Sequence, residues 1–198
     1  MKQNKKRLIA ITGGIGSGKS TVAGLLRARG FAVFSADEAG RTVYEIPEVL
    51  AAVKALFPSC ICDGKLDRKR LADEVFCSPE KLRLLNSVTH PAIMSTLLSQ
   101  MRSATGGTVF AEVPLLFESG LENLFDHVII VMRDRKKRLE AAAARDKVSE
   151  EKIAERMQNQ LDYEKNLPTG HTVIYNDADI PALNRQIDRV LDELQISE

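Results

Sequence analysis

Gly13-Gly14-Ile15-Gly16-Ser17-Gly18-Lys19-Ser20 sets glycines, a lysine and a hydroxyl at the spacing G-x-x-x-x-G-K-[ST]. The chemistry served by that spacing is the holding of phosphate. Where Cβ atoms are missing, the backbone can fold round an anion with successive N–H groups turned inward. The helix that follows adds the positive end of its dipole. Lys19 is then placed to reach the β- and γ-phosphates of a nucleoside triphosphate, and the Ser20 hydroxyl to ligate Mg²⁺. Gly14, Ile15, Gly16, Ser17, Gly18 and Thr21 complete the expected cradle. A glycine-rich turn with no chemical role is the competing reading. It is disfavoured because the motif needs a strand before it and a helix after it. Leu8-Ile9-Ala10-Ile11-Thr12 supplies the first, and Val22, Leu25 and Leu26 the periodicity of the second.

A bound triphosphate needs an acceptor and groups that manage charge. Asp37 ends the segment after the second apolar run, at the sheet edge where ligands of open parallel sheets gather. Its carboxylate can take the proton of an attacking hydroxyl or orient that hydroxyl and a metal-bound water. It can equally cap the following helix. Glu112 closes the third apolar run and can hold a metal-bound water or simply face solvent. Arg138 and Arg145 lie seven residues apart, on nearly one helix face, where a lid would carry guanidinium groups over phosphates. A solvated charged helix gives the same pattern. His90 precedes Pro91 and can be a helix cap or a site residue. Asp37-Glu38-Ala39-Gly40 matches the D-x-x-G of switch GTPases, but it comes only 18 residues after Lys19 and no Asn-Lys-x-Asp run accompanies it.

The elements that must position these groups alternate. Apolar runs at 8–12, 31–34, 108–111, 127–131 and 172–175 are nearly continuous, as in parallel strands buried on both faces. Helical patterns separate them, which makes the fold class α/β. Residues 38–104 carry helical pattern and no evident strand. There Asp67 is a cap for a helix bearing Leu71, Val75 and Phe76, and Ser78-Pro79 opens a second carrying Leu82 and Leu85. A third helix is expected after Pro91. A charged stretch from about 133 to 165 divides into two helices at Ser149. Leu183, Ile187, Val190, Leu191 and Leu194 mark a final helix packed on the sheet.

At 198 residues the chain suits one domain with insertions. Lys and Arg total 28 against 27 for Asp and Glu, so no global charge points to nucleic acid. No apolar run nears the roughly 20 residues that cross a bilayer, and the basic start at 1–7 lacks a secretory pattern. A cytoplasmic chain is expected. Cys60, Cys62 and Cys77 have neither zinc nor redox spacing.

Taken together, the runs Thr12–Thr21, Ala36-Asp37 with Arg41, Asp63-Gly64-Lys65-Leu66-Asp67-Arg68, His90-Pro91-Ala92-Ile93, Pro114-Leu115-Leu116-Phe117-Glu118, Arg145-Asp146 and Ile174-Tyr175-Asn176 resemble the dephospho-coenzyme A kinase family along nearly the whole chain. The resemblance implies a three-layer P-loop core with a five-stranded parallel sheet (1–37, 105–133 and 166–198), a helical coenzyme-binding insertion (38–104) and a mobile lid (134–165). It implies phosphoryl transfer from ATP, with Mg²⁺, to the ribose 3′-hydroxyl of dephospho-coenzyme A. A monomer is expected, with no nucleic-acid or membrane partner. Asp37 takes the general-base position, Lys19 and Arg145 the other catalytic ones, and Ser20 the metal position. Asn176 falls on the nucleotide side, and Arg41, His90, Leu115 and Glu118 on the acceptor side.

Three residues depart from the family pattern: Ser35 and Glu112 stand where an Asp is common, and Ala141 where a lid Arg is expected. Arg138 is the candidate replacement for that Arg. Another small-molecule kinase on the same scaffold, of nucleoside monophosphate or shikimate type, is the rival reading. A nucleotide-gated binding module without turnover is a further one.

Overall fold

A computed structural model describes residues 6–196, so most of the basic start, Met1 to Lys5, and the last two residues lie outside it. The elements run β1 (Arg7–Thr12), α1 (Lys19–Ala28), β2 (Ala32–Ser35), α2 (Ala36–Thr42), α3 (Pro47–Leu56), β3 (Ile61–Cys62), β4 (Lys65–Leu66) and α4 (Arg68–Phe76). They continue with α5 (Pro79–Ser103), β5 (Thr108–Glu112), β6 (His127–Met132), α6 (Arg135–Asp146), α7 (Glu150–Gln158), β7 (Thr172–Tyr175) and α8 (Ile180–Glu193). The chain divides into two compact units, one made of residues up to Phe34 and from Met101 onward, the other of Ser35–Gln100.

The first unit holds the five-stranded sheet, in the order β2-β5-β1-β6-β7. β1 runs parallel to β5 and to β6, and β6 parallel to β7. All five expected strands are present. Ile9 and Ile11 are fully buried in a core shared with Val22 and Leu26 of α1 and with Leu183, Ile187 and Val190 of α8. Burying each such side chain contributes about 1.5–3 kcal/mol, which explains why apolar runs and helical stripes assemble as layers. Because β1 lies between β5 and β6, the loop after it opens at the point where the chain's crossovers change direction, the usual ligand crevice of such sheets. No helix among the described residues is long and apolar enough to cross a membrane.

The second unit is helical but not wholly so. β3 and β4 form a small antiparallel hairpin, Ile61 opposite Leu66 and Cys62 opposite Lys65, where a strand-free segment was expected. The turn between them uses Asp63 and Gly64, both at positive φ, and such a two-residue turn carries a ladder too short to show any alternation in the sequence. Asp67 caps α4 as expected, accepting from the N–H groups of Lys69 and Arg70. Leu71 and Val75 are buried, whereas Phe76 is 77 % exposed. Leu71 and Val75 are four residues apart and share a face; Phe76 falls a further 100° round the helix.

A second correction concerns Pro91, which does not begin a new helix. It lies inside the 25-residue α5. The missing N–H frees the Ser87 carbonyl, but both residues are on the exposed side, where water can take that acceptor. Met94, Leu97, Leu98 and Met101 on the buried side keep the helix continuous. His90 is accordingly mid-helix, not a cap.

Glu74 ties α4 to the start of the hairpin and to α5. It accepts from the Ser59 hydroxyl at 2.6 Å, the Cys60 thiol at 3.2 Å and the Lys81 ammonium at 2.7 Å. The Lys81 bond, with those from Ser59 and Cys60, holds the carboxyl down at about 2, against an ordinary value of 4.5. A folded-state pKa lowered in this way supplies stability above about pH 4.5 that is lost as the pH falls towards 2. Glu74→Gln is therefore expected to be less stable than the parent at neutral pH, with the difference shrinking through that window. Paired denaturant melts from pH 2 to 7 measure it; a pH-independent difference would contradict the assignment.

Candidate functional site: the phosphate loop

The loop after β1 is shaped by close contacts. Gly16 sits at φ +75°, and a Cβ there would lie 2.2 Å from the backbone oxygen of Arg138. A Cβ on Gly14 would lie 2.2 Å from that arginine's Nη2. α6 thus lies hard against the loop, and at Gly16, where the clash is with backbone, only glycine fits. From the other side, the Asn176 Nδ2 donates to the Ser17 carbonyl at 2.9 Å, while its own N–H bonds Met132 at the end of β6. Lys19, at the start of α1, turns its ammonium onto the carbonyls of Gly13 and Gly14 at 2.9 and 3.1 Å. The N–H groups of Gly16, Gly18 and Ser20 make none of the described hydrogen bonds. Among described side chains, the fully buried Ser17 hydroxyl also lacks a partner. Thr21 is exposed in the first turn of α1.

At the carboxyl ends of β1 and β5 the Ser20 hydroxyl donates to Glu112 Oε1 at 3.0 Å. The two candidate metal-related positions are adjacent, and both offer oxygen, the donor type hard cations such as Mg²⁺ take.

The stretch of α6, α7 and the following turn meets the loop with two side chains. Arg138, 8 % exposed, donates from Nε to the Ile15 carbonyl at 3.0 Å. Burial lowers its guanidinium pKa, and the Glu164 carboxylate 3.9 Å away opposes that. Gln160 Oε1 accepts the Ile15 N–H at 2.7 Å. Arg145 is exposed and bonded to Asp146, which also receives Arg156 at 2.9 Å, so the end of α6 is tied to α7. The Arg145 bond, with Arg156, holds the Asp146 carboxyl below its usual range. Ser149 occupies the N-cap position of α7 without a side-chain cap bond. Glu118 accepts the Leu161 N–H at 2.8 Å, while Leu115 is exposed. Tyr163 anchors this turn: it is 2 % exposed, packs edge-on against Phe117 at 6.3 Å, and burial pushes its hydroxyl up to about 12.

In the second unit, Asp37 is exposed in the first turn of α2, two residues beyond β2. Ser35, not Asp37, is the cap, accepting from the Glu38 N–H at 3.4 Å. The residue that departs from the family's first Asp therefore has a local task. The Arg41 carbonyl receives Arg68 Nη1 at 2.9 Å, and the Arg68 guanidinium lies over the Tyr44 ring at 5.3 Å. His90 is half-buried, which pushes its pKa down. Gln160 is the residue that no local pattern could have pointed to. It sits in a turn of unremarkable polarity, and only the fold carries it across 145 positions to Ile15.

A glycine-rich loop leaving the central strand of a parallel sheet, with lysine, hydroxyl and carboxylate at its mouth, defines the P-loop kinase class of α/β proteins. Comparison with known proteins narrows the class. The model of the dephospho-CoA kinase family matches residues 7–182. A dephospho-CoA kinase of Deinococcus radiodurans is 40 % identical over 96 % of this chain and 94 % of its own. A solved Thermus thermophilus structure is 36 % identical with a TM-score of 0.83, covering 96 % of this chain and 98 % of its own. A solved dephospho-CoA kinase of Campylobacter jejuni is 29 % identical with a TM-score of 0.68, covering 96 % and 97 %. The chain belongs to the dephospho-CoA kinase family, and it is an ATP-dependent kinase.

Gly16→Ala puts a methyl group onto the Arg138 carbonyl at a left-handed φ. It is expected to cost about 1–3 kcal/mol of stability and to weaken binding of a non-hydrolysable ATP analogue. Gly24→Ala, in the middle of α1 with nothing within 4 Å, is expected to be neutral or stabilising. Melting curves and analogue titrations of both variants check the contrast; equal effects would refute the close-packing account.

Proposed function

We propose that the chain transfers the γ-phosphoryl group of ATP to the ribose 3′-hydroxyl of dephospho-coenzyme A, giving coenzyme A and ADP in the last step of coenzyme A synthesis. The observation that carries this reading is the phosphate loop with Lys19 and the Ser20–Glu112 pair at its mouth, in a chain of this family. The N–H groups of Gly16, Gly18 and Ser20, which make none of the described hydrogen bonds, are the proposed triphosphate donors, and Gly14, Ile15, Ser17, Lys19 and Thr21 complete the proposed cradle around them. Asn176 supports the site from β7.

Phosphoryl transfer asks for positioning and charge stabilisation more than for covalent help. The Lys19 ammonium, folded onto two carbonyls that a phosphate outcompetes electrostatically, would swing to the β- and γ-phosphates and draw off charge as the transferring group loosens. Mg²⁺ would be held by Ser20 and, through water, by Glu112; when bound it neutralises charge on the β- and γ-oxygens. Asp37 accepts the proton of the 3′-hydroxyl as that oxygen bonds to the γ-phosphorus and the bond to the β–γ bridging oxygen breaks. Its exposure, and the capping of α2 by Ser35 instead, suit that task. Residues 38–104 are the proposed coenzyme-binding insertion, with Arg41 and His90, and Leu115 and Glu118 complete the acceptor side. Residues 134–165 are the proposed lid, with Arg138 on the loop and Arg145 further along α6. Three free cysteines suit a reducing cytoplasm, and a monomer is the proposed state.

A panel of acceptors with labelled ATP tests the substrate: dephospho-coenzyme A is expected to be phosphorylated in preference to nucleoside monophosphates and shikimate. A nucleotide or sugar acid as the better acceptor would overturn the assignment. Asp37→Asn is expected to lower kcat by about 10²–10⁴-fold with ATP affinity nearly unchanged. Unaltered turnover would remove Asp37 from the role of base.

A further inference from the structure

Ile15 contributes two peptide groups to the phosphate loop, and both are tied to the same remote stretch. Its N–H is held by Gln160 Oε1 at 2.7 Å and its carbonyl by Arg138 Nε at 3.0 Å. Beside these two anchors is a cavity of about 250 Å³, lined among others by Arg135, Arg138, Gln160 and Glu164. The directions of the neighbouring groups follow from peptide geometry. In a trans peptide the N–H and C=O point opposite ways. With the Ile15 N–H aimed at Gln160, the Gly14 carbonyl on the same peptide must face away from it, and it receives Lys19 Nζ at 3.1 Å and the Ser17 N–H at 3.2 Å. With the Ile15 carbonyl aimed at Arg138, the Gly16 N–H must point away from α6. A flip of the 15–16 peptide would turn a carbonyl towards an incoming phosphate and remove the inward Gly16 amide; a flip of the 14–15 peptide would take the Gly14 carbonyl off the Lys19 ammonium and the Ser17 N–H, the two bonds that hold the turn.

The loop alone does not prevent such a flip. Glycines on both sides of Ile15 tolerate many backbone conformations, so the loop's inward amides need an outside constraint. Arg138 supplies one, but an arginine also attracts phosphate and can leave the carbonyl for it. Gln160 has no charge to be drawn away. Its oxygen is an acceptor that a triphosphate repels, so it stays on the Ile15 amide when nucleotide arrives. The turn bearing it is pinned by the buried Tyr163 and by the Glu118–Leu161 bond.

We infer that Gln160 is a positioning residue for the ATP site: through the Ile15 N–H it fixes the orientation of the 14–15 peptide, and it thereby couples the stretch after α7 to the geometry of the phosphate cradle. The inference rests on reading residues 13–20 as the ATP cradle, while its amide-level half is independent of that reading.

The test uses the full chain and two variants. Gln160→Met keeps the side chain's length and removes the acceptor; Gln160→Glu keeps an acceptor oxygen. The first readout is hydrogen exchange of peptides covering 13–20 without nucleotide. Gln160→Met is expected to speed exchange at Ile15 about three- to tenfold, the loss of one net hydrogen bond, and Gln160→Glu to restore protection. The second is titration with a non-hydrolysable ATP analogue and steady-state kinetics. Gln160→Met is expected to lose about three- to tenfold in affinity and in kcat/KM for ATP, with the KM for dephospho-coenzyme A unchanged and the melting temperature lowered by only a few degrees. Unchanged exchange in Gln160→Met overturns the proposal, and so does tighter analogue binding, which would make Gln160 a placeholder that nucleotide displaces. Should Gln160→Met fold poorly, Gln160→Glu decides alone: exchange at Ile15 faster than in the parent overturns the positioning role. A parent protein that binds no analogue would sink the ATP reading, leaving the exchange experiment to judge the contact.

Discussion

The physical constraint on which the molecule turns is the absence of space around residues 13–16. The Arg138 backbone, its guanidinium and the Val131 carbonyl occupy the volume that side chains at Gly13, Gly14 and Gly16 would need. A backbone so confined cannot wander, yet its glycines leave it the unusual angles that turn N–H groups inward. Freedom of conformation and lack of room together make a rigid anion receptor out of the most flexible residue type.

The surroundings have to be assembled from distant segments to produce that confinement. β6 brings the Val131 carbonyl, α6 brings Arg138, the turn after α7 brings Gln160, and the residue just past β7 is Asn176. The sheet order explains how. With β1 between β5 and β6, the mouth of the loop is bordered by the carboxyl ends of both, so Glu112 on one side and the segment after Met132 on the other are delivered by the same hydrogen-bond registers that stabilise the sheet. Stability and the placing of chemistry are therefore one arrangement here. A parallel sheet buried on both faces fixes strand ends to within a fraction of a residue, and the ends are where the polar groups sit.

What could be read from the sequence follows from how local its cause is. The five strands were visible because burial on both faces leaves uninterrupted runs of Val, Ile, Leu, Ala and Phe. The Asp67 cap and the stripe of α8 were visible because caps and helical faces are written within four residues. The phosphate loop was visible for the same reason. The β3–β4 hairpin was not, since two-residue strands are too short for a period to register. Pro91 misled because its usual effect on helices depends on whether water can reach the carbonyl it frees, a matter of which face is packed. Arg138 was marked as one of two arginines on a charged helix and as a replacement for the lid Arg absent at Ala141, but its bond to Ile15 was not, and Gln160 was not marked at all, because their partners are loop atoms more than a hundred positions away. The Ser20–Glu112 contact stands between these cases: both residues were marked from local pattern, while their adjacency needed the register of β1 against β5.

That same register has a bearing on how the protein comes off the ribosome. β1 is made well before both of its neighbours: Arg7 waits for Thr108 and Ile9 for His127 before either edge of the strand is paired. At about 5–20 residues per second the most deeply buried strand of the sheet spends several seconds with both edges bare. The nascent loop beside it, lacking Arg138, Gln160 and Asn176, has no walls until translation has passed all three, so the growing polypeptide acquires its grip on nucleotide only when nearly every other part of the sheet is in place.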